Sequence, residues 1–234
     1  MKFNVMAWAA LCFFYRSAAD KKYVKVMADA PFLTALRGIP SSVSKEEFEE
    51  KIILDYIEIE NYDLLLKHSF ADQILTMIVE LQPELSAFQD ASILNCDLSD
   101  KSTATRINNV YRSLCSVPGL WSTGASKILH ILNDKLFTVI DPSIAAHFGL
   151  LARDRELVSF LRVVQTDVKE VVEDFHRHGF VGSPEDFLAE RLGYAQQGCQ
   201  KSLVKFIDEY YWLHLGDGLP VPPLWAPLLE TVEH

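Results

Sequence analysis

The stretch from Ser102 to Gly149 constrains the fold more than any other part of the chain. Ile107, Val110, Tyr111 and Leu114 fall at i, i+3, i+4 and i+7, an apolar stripe on a helix expected to begin near Ser102 or Thr103. Arg106, Asn108, Asn109 and Arg112 lie off that stripe. Val117-Pro118-Gly119-Leu120 breaks the helix, because Pro118 has no amide donor and Gly119 tolerates positive φ. Ser122 or Thr123 can cap a second helix, whose buried face is Ala125, Ile128, Leu129 and Leu132. Thr123, Lys127 and His130 form a separate, polar line on it. Phe137-Thr138-Val139-Ile140 is too short and too β-branched for a helix, and Asp141-Pro142 ends it.

The remainder also reads as helix. Val5 to Tyr15 is an uncharged apolar run, expected as a buried helix, with a weaker helix around Lys21 to Ala28 and a connection from Pro31 to Pro40. Ser44-Lys45-Glu46-Glu47 is a capping box, with Val43 and Phe48 placed as a hydrophobic staple for a helix carrying Phe48, Ile52 and Tyr56. Ile74, Met77, Ile78 and Leu81 stripe a helix from Ser69 to Leu81, with Pro83 expected to end it. Residues 154–178 keep an apolar stripe and stop at Gly179, and Ser183-Pro184 opens another helix. Gln200 to Leu215 is the last helix, and prolines 220, 222, 223 and 227 keep the tail extended. Eight to ten helices and almost no sheet make the expected class all-α. Weak periodicity from Pro83 to Asp100 divides the expected bundle into two lobes, 1–95 and 96–234, the first one open to completion by the C-terminal helices.

A chain of 234 residues can bury a sizeable core. Its net charge of −10 opposes nucleic acid as a whole. The sign reverses locally: Lys101, Arg106, Arg112, Lys127 and Lys135 against Asp134 give residues 101–135 a net charge of +4. Cys12, Cys96, Cys115 and Cys199 have no metal-ligand spacing, so neither zinc nor an iron–sulfur cluster is signalled, no cofactor is expected, and free thiols fit a reducing cytoplasm. His176 and His178, at i and i+2, point to different helical faces and make a poor metal pair. The apolar run near the start is too short for a membrane span of about 20 residues. Lys2 before it and Ser17-Ala18-Ala19 after it leave a signal peptide conceivable, against which Arg16 argues.

Two helices joined by a Pro-Gly turn, followed by an aspartate after an apolar run, resemble the helix-hairpin-helix DNA glycosylases. Ser126-Lys127-Ile128-Leu129-His130, then Leu136-Phe137 and Asp141, resemble the 8-oxoguanine-glycosylase-like branch more specifically. The second hairpin glycine of the family is Trp121 here, and the family's lysine would fall on Thr123, one turn before Lys127. The resemblance implies base excision and strand cleavage on duplex DNA carrying an oxidised purine. Lys127 would be the nucleophile and Asp141 the catalytic carboxylate. Gly119, Leu120, Trp121, Ser122, Thr123 and Arg112 would meet the DNA backbone.

Each residue has a plainer reading. Asp141 can simply cap a helix from Pro142 to Phe148, and Lys127 can be an exposed helical lysine. Trp121 can close the core beneath the turn or wedge against DNA. His130 is expected as a partly buried structural residue. Tyr210-Tyr211-Trp212 is expected in the core rather than as a base-stacking surface. Three functions remain open: a glycosylase with lyase activity, a helix-hairpin-helix protein that binds DNA without chemistry, and a helical protein–protein adaptor.

Overall fold

Two antiparallel helices around a Pro-Gly turn set the frame on which the other elements pack. The computed structural model describes residues 1–16, 18–57, 70–150 and 156–221, and every regular element among them is helical. In chain order these are α1 (Phe3–Arg16), α2 (Ala18–Met27), α3 (Ala30–Gly38) and α4 (Lys45–Phe48), which runs on as a π-helical segment, Glu49–Ile57. Next come α5 (Phe70–Ser86), α6 (Lys101–Cys115), α7 (Ser122–Leu132), α8 (Pro142–His147), α9 (Leu157–Arg177) and α10 (Pro184–Leu192). The last is α11 (Leu203–Tyr211), continued in π form through Trp212–Gly216. The start at Ser69, the first residues of the 154–178 stretch and the tail prolines at 222, 223 and 227 lie outside the described residues.

Periodicity places the core. Ile107, Val110, Tyr111 and Leu114 of α6 are buried, as are Ala125, Ile128 and Leu129 of α7, while Leu132 is partly so. One buried cluster takes Phe3, Phe48 and Ile74 from the first segment and Ile107, Leu129, Val164 and Ile207 from the second. The apolar run near the start folds as the buried α1. Its fully buried Ala7, Ala9 and Ala10 let α11, α9 and α10 pack closely against it, so the last helices complete the first. Asp174 of α9 fixes the docking. Its carboxylate, 3% exposed as a residue, accepts the Phe3 amide at 3.0 Å and the Lys2 ammonium at 3.2 Å.

Five local expectations are corrected. The Pro31–Pro40 connection is helical: Asp29 caps α3 by accepting the Phe32 amide at 3.2 Å, and Pro31 sits in the first turn, where its missing donor is harmless. Pro83 lies inside α5 rather than ending it. The helix continues because Leu85 packs into the core, and the carbonyl that Pro83 leaves without its helical partner belongs to the exposed Val79. The chain then reaches α6 through turns whose Phe88, Ile93 and Leu98 are buried, stitched by the Asn133 amide to the carbonyls of Phe88 and Ala91. The first hairpin helix starts at Lys101, capped by Asp100, which accepts the Thr103 amide at 2.8 Å. Neither Ser122 nor Thr123 caps α7. The Pro-Gly turn leaves Trp121 extended at the cap position, with no side-chain cap bond, and Ser122 is already helical. Finally, the described residues contain eleven α-helices rather than eight to ten, because α3 joins the count.

Candidate functional site

The Pro118-Gly119 turn aims α7. Gly119 adopts φ 88°, a conformation open to glycine at little cost. Gly124 lets the turn fold back on the helix: a Cβ there would sit 2.6 Å from Leu120 Cδ1. Leu120 is consequently buried, whereas Trp121 is 80% exposed. Trp121 therefore does not close the core.

After α7 the chain doubles back as an extended run and is bound to the helix it left. Ser126 Oγ accepts the Ile140 amide at 2.9 Å and donates to the Thr123 carbonyl at 2.9 Å. His130 is fully buried, more so than expected, and its Nδ1 donates to the Phe137 carbonyl. Burial holds the imidazole pKa below its ordinary value, so the ring is neutral. Lys127 follows Ser126 and Asp141 follows Ile140, so these bonds bring the two flagged side chains to one place.

That place is a cavity of about 510 Å³ whose wall includes Thr123, Lys127 and Asp141. Lys127 Nζ donates to the Tyr56 carbonyl at 3.2 Å and the Ile57 carbonyl at 3.4 Å, and lies 5.4 Å from the Tyr56 ring centre. Asp141 is the N-cap of α8, as the plainer reading expects. Its Oδ1 accepts the Ser143 amide at 2.8 Å and the Ile144 amide at 3.4 Å. The capping bonds, and a further one from the Ser143 hydroxyl, all fall on Oδ1.

The opposite wall comes from the two ends of the chain. Phe13 of α1 and Lys22 and Tyr23 of α2 line it with Lys205 and Asp208 of α11 and Trp212 of the π-helical continuation. Burial grades this wall. Tyr23 is 1% exposed and Tyr56, Phe13 and Lys205 are each 7% exposed, whereas Trp212 is 45% exposed. The cavity thus has an aromatic, desolvated inner end and an indole at its mouth. Of the Tyr210-Tyr211-Trp212 trio, Tyr211 is buried and donates to Asp167, while Trp212 leaves the core for the cavity.

Behind the inner end lies a dry ionic cluster. Lys201, fully buried, donates to Asp20, to Glu209 at 2.6 Å and to the Tyr194 hydroxyl at 2.8 Å. Desolvation raises the Glu209 carboxyl pKa despite both neighbouring lysines. Lys205 donates to Asp208 at 2.7 Å and stands 3.8 Å from Glu209. Burial pulls the Lys205 pKa down, but the carboxylates of Asp208 and Glu209 outweigh this and hold it above the ordinary lysine value. No member of this cluster was singled out in the sequence. The available signal was Lys205, a charge inside the apolar run Leu203-Val204-Phe206-Ile207.

The other candidate residues lie outside the cavity wall. Gly119, Leu120 and Trp121 belong to the turn, Ser122 opens α7, and Arg112 on α6 pairs with Glu156 at 3.6 Å. Arg106 pairs with Glu84 at 2.6 Å, so acidic partners offset much of the positive charge of residues 101–135. Among the described residues no group of three or more His, Cys, Asp or Glu is placed to hold a metal ion, and no helix is long and apolar enough to cross a membrane. Comparison of the chain with protein-family models, with curated proteins and with solved structures returns no match.

Proposed function

We propose that this protein is a DNA base-excision glycosylase with lyase activity, which takes an everted, oxidised purine into the cavity between α7 and α11. The observation that carries this reading is that Lys127 and Asp141 line one cavity large enough for a nucleobase. The aromatic inner end suits a planar ring, and Thr123, Lys127 and Asp141 sit on the wall toward the Pro-Gly turn. Trp121, exposed beside that turn, is the group proposed to wedge into the duplex, and the backbone from Gly119 to Thr123 to hold a phosphate.

In the reaction, the neutral Lys127 amine attacks C1′ of the sugar. The C1′–N bond breaks and its electron pair leaves with the base, which takes up the proton that the attacking nitrogen gives up. Asp141 stabilises the positive charge that develops on the sugar. Sugar ring opening gives an iminium, and loss of the C2′ proton then breaks the C3′–O bond. A neutral amine keeps two N–H donors for the Tyr56 and Ile57 carbonyls and one lone pair for attack.

Sodium borohydride reduces that iminium to a stable amine. Incubating the protein with duplex DNA carrying 8-oxoguanine or an abasic site, then adding borohydride, should give a covalent protein–DNA band. A second reading is favoured by the carbonyl contacts of Lys127 and the capping bonds of Asp141: a protein that holds a base without excising it. Duplex binding with no trapped band would select it.

A further inference from the structure

The inner end of the cavity holds a cation with capacity left over. An ammonium has three N–H donors. Among the described residues Lys205 has one hydrogen-bond acceptor, Asp208 at 2.7 Å, with Glu209 next at 3.8 Å. The rings of Tyr23 and Phe13 stand 5.2 and 5.4 Å from Nζ to ring centre, and Tyr56 lines the same cavity. Lys205 is 7% exposed, so water does little to satisfy the remaining donors. A buried charged donor without an acceptor is costly, and a ligand that brings one binds correspondingly well.

Resting on the base-pocket reading above, we infer that Lys205 is the specificity-determining residue: its ammonium donates to a ring carbonyl oxygen, so the cavity takes oxo-substituted bases over amino-substituted ones. The occupant is a neutral oxygen rather than an anion, because the carboxylates of Asp208 and Glu209 stand within 4 Å of the same nitrogen and repel a full negative charge. An exocyclic amino group in that position would direct its hydrogens at the ammonium. Asp208 is already bonded to Lys205 and is not free to rotate toward such a group without breaking that pair. The raised Lys205 pKa keeps the donor charged at neutral pH.

Hypoxanthine and adenine share ring and size and differ along one edge, where hypoxanthine carries an oxo group beside an N1–H donor and adenine an amino group beside an unprotonated N1. Titrating the full chain with each free base, followed by calorimetry and by Trp212 quenching at the cavity mouth, should give hypoxanthine roughly ten- to a hundredfold tighter, the range for a hydrogen bond to a charged donor. Equal affinity, adenine preference or no binding of either base overturns the inference. In the double variant Lys205→Met/Asp208→Asn, which removes both charges at similar volume, the preference should vanish. Its persistence in a folded variant also overturns the inference, and the wild-type comparison stands even where the variant does not fold. Borohydride trapping without base preference removes the role of Lys205 and leaves base excision standing, whereas base preference without trapping does the reverse.

Discussion

Ser126 accepts the amide of Ile140, fourteen positions on, at 2.9 Å, and each of the two stands directly beside a cavity residue, Lys127 and Asp141. One buried hydroxyl thereby fixes the spacing between the helix that carries the lysine and the turn that carries the carboxylate.

Ser126→Ala should remove that tie and leave the Ile140 amide unpaired in the core. The expected loss is about 1–3 kcal/mol of unfolding free energy. Ser116, which is solvent-side and bonds only within its own turn, is the control: Ser116→Ala should change stability by no more than about 0.5 kcal/mol. Urea unfolding of the two variants gives the comparison.

Lys127→Gln should abolish borohydride trapping and leave the fold intact. The glutamine amide can still donate to the carbonyls of Tyr56 and Ile57, which takes structural loss out of the reading. Undiminished trapping in that variant would remove Lys127 from the chemistry.

Asp141 has two roles that substitution can separate. Asparagine caps helices about as well as aspartate, whereas alanine loses about 1 kcal/mol. Asp141→Asn should therefore melt near the wild type yet excise base at least about a hundredfold more slowly, at the low end of what a positioned acid or base contributes. Excision at the wild-type rate in Asp141→Asn would mean that the carboxylate serves α8 alone.

Acidification should weaken the fold through His130. Its folded-state pKa lies below the ordinary value of 6.5, because burial disfavours the charged ring. The unfolded chain then binds a proton that the folded chain does not, so stability falls as pH drops through 6.5 and on toward the folded pKa, by up to about 1.4 kcal/mol per pH unit. Denaturant midpoints between pH 8 and 5 should show this slope, and His130→Gln should flatten it.

Trp121→Ala should weaken binding to duplex DNA by about tenfold, the value of one aromatic stacking contact, with melting unchanged because the side chain is 80% exposed. Gly119→Ala should instead lower stability, since φ 88° strains any residue with a Cβ.

How much of this could be read from the residues follows a physical divide. Periodicity and caps act over a few positions, so the α6 and α7 stripes, the Ser44 and Ser183 caps and the Asp141 cap were all legible. Lys127 and Asp141 were paired by the resemblance alone, because fourteen positions of helix and extended chain do not say whether two side chains meet. Pro83 misled because a proline's effect depends on whether the freed carbonyl faces water, which is a tertiary fact. The inner end of the cavity was hidden for a deeper reason. Phe13, Tyr23 and Lys205 have no fixed spacing from Asp141, and only packing of α1 on α11 and of α2 on the Glu49–Ile57 segment brings them there. A lysine in an apolar run was the one local trace, and it does not say what it faces.

Lys201 reaches back 181 positions to Asp20, and Glu209 closes the same knot. During synthesis α7 and the Asp141 turn leave the ribosome together and can settle on each other before α11 has been made. Until then the rings of Phe13, Tyr23 and Tyr56 have no lid, and the nascent chain offers chaperones a sticky patch that the finished protein conceals. The finished cavity would accordingly appear late, as one of the closing events of folding rather than among its early ones.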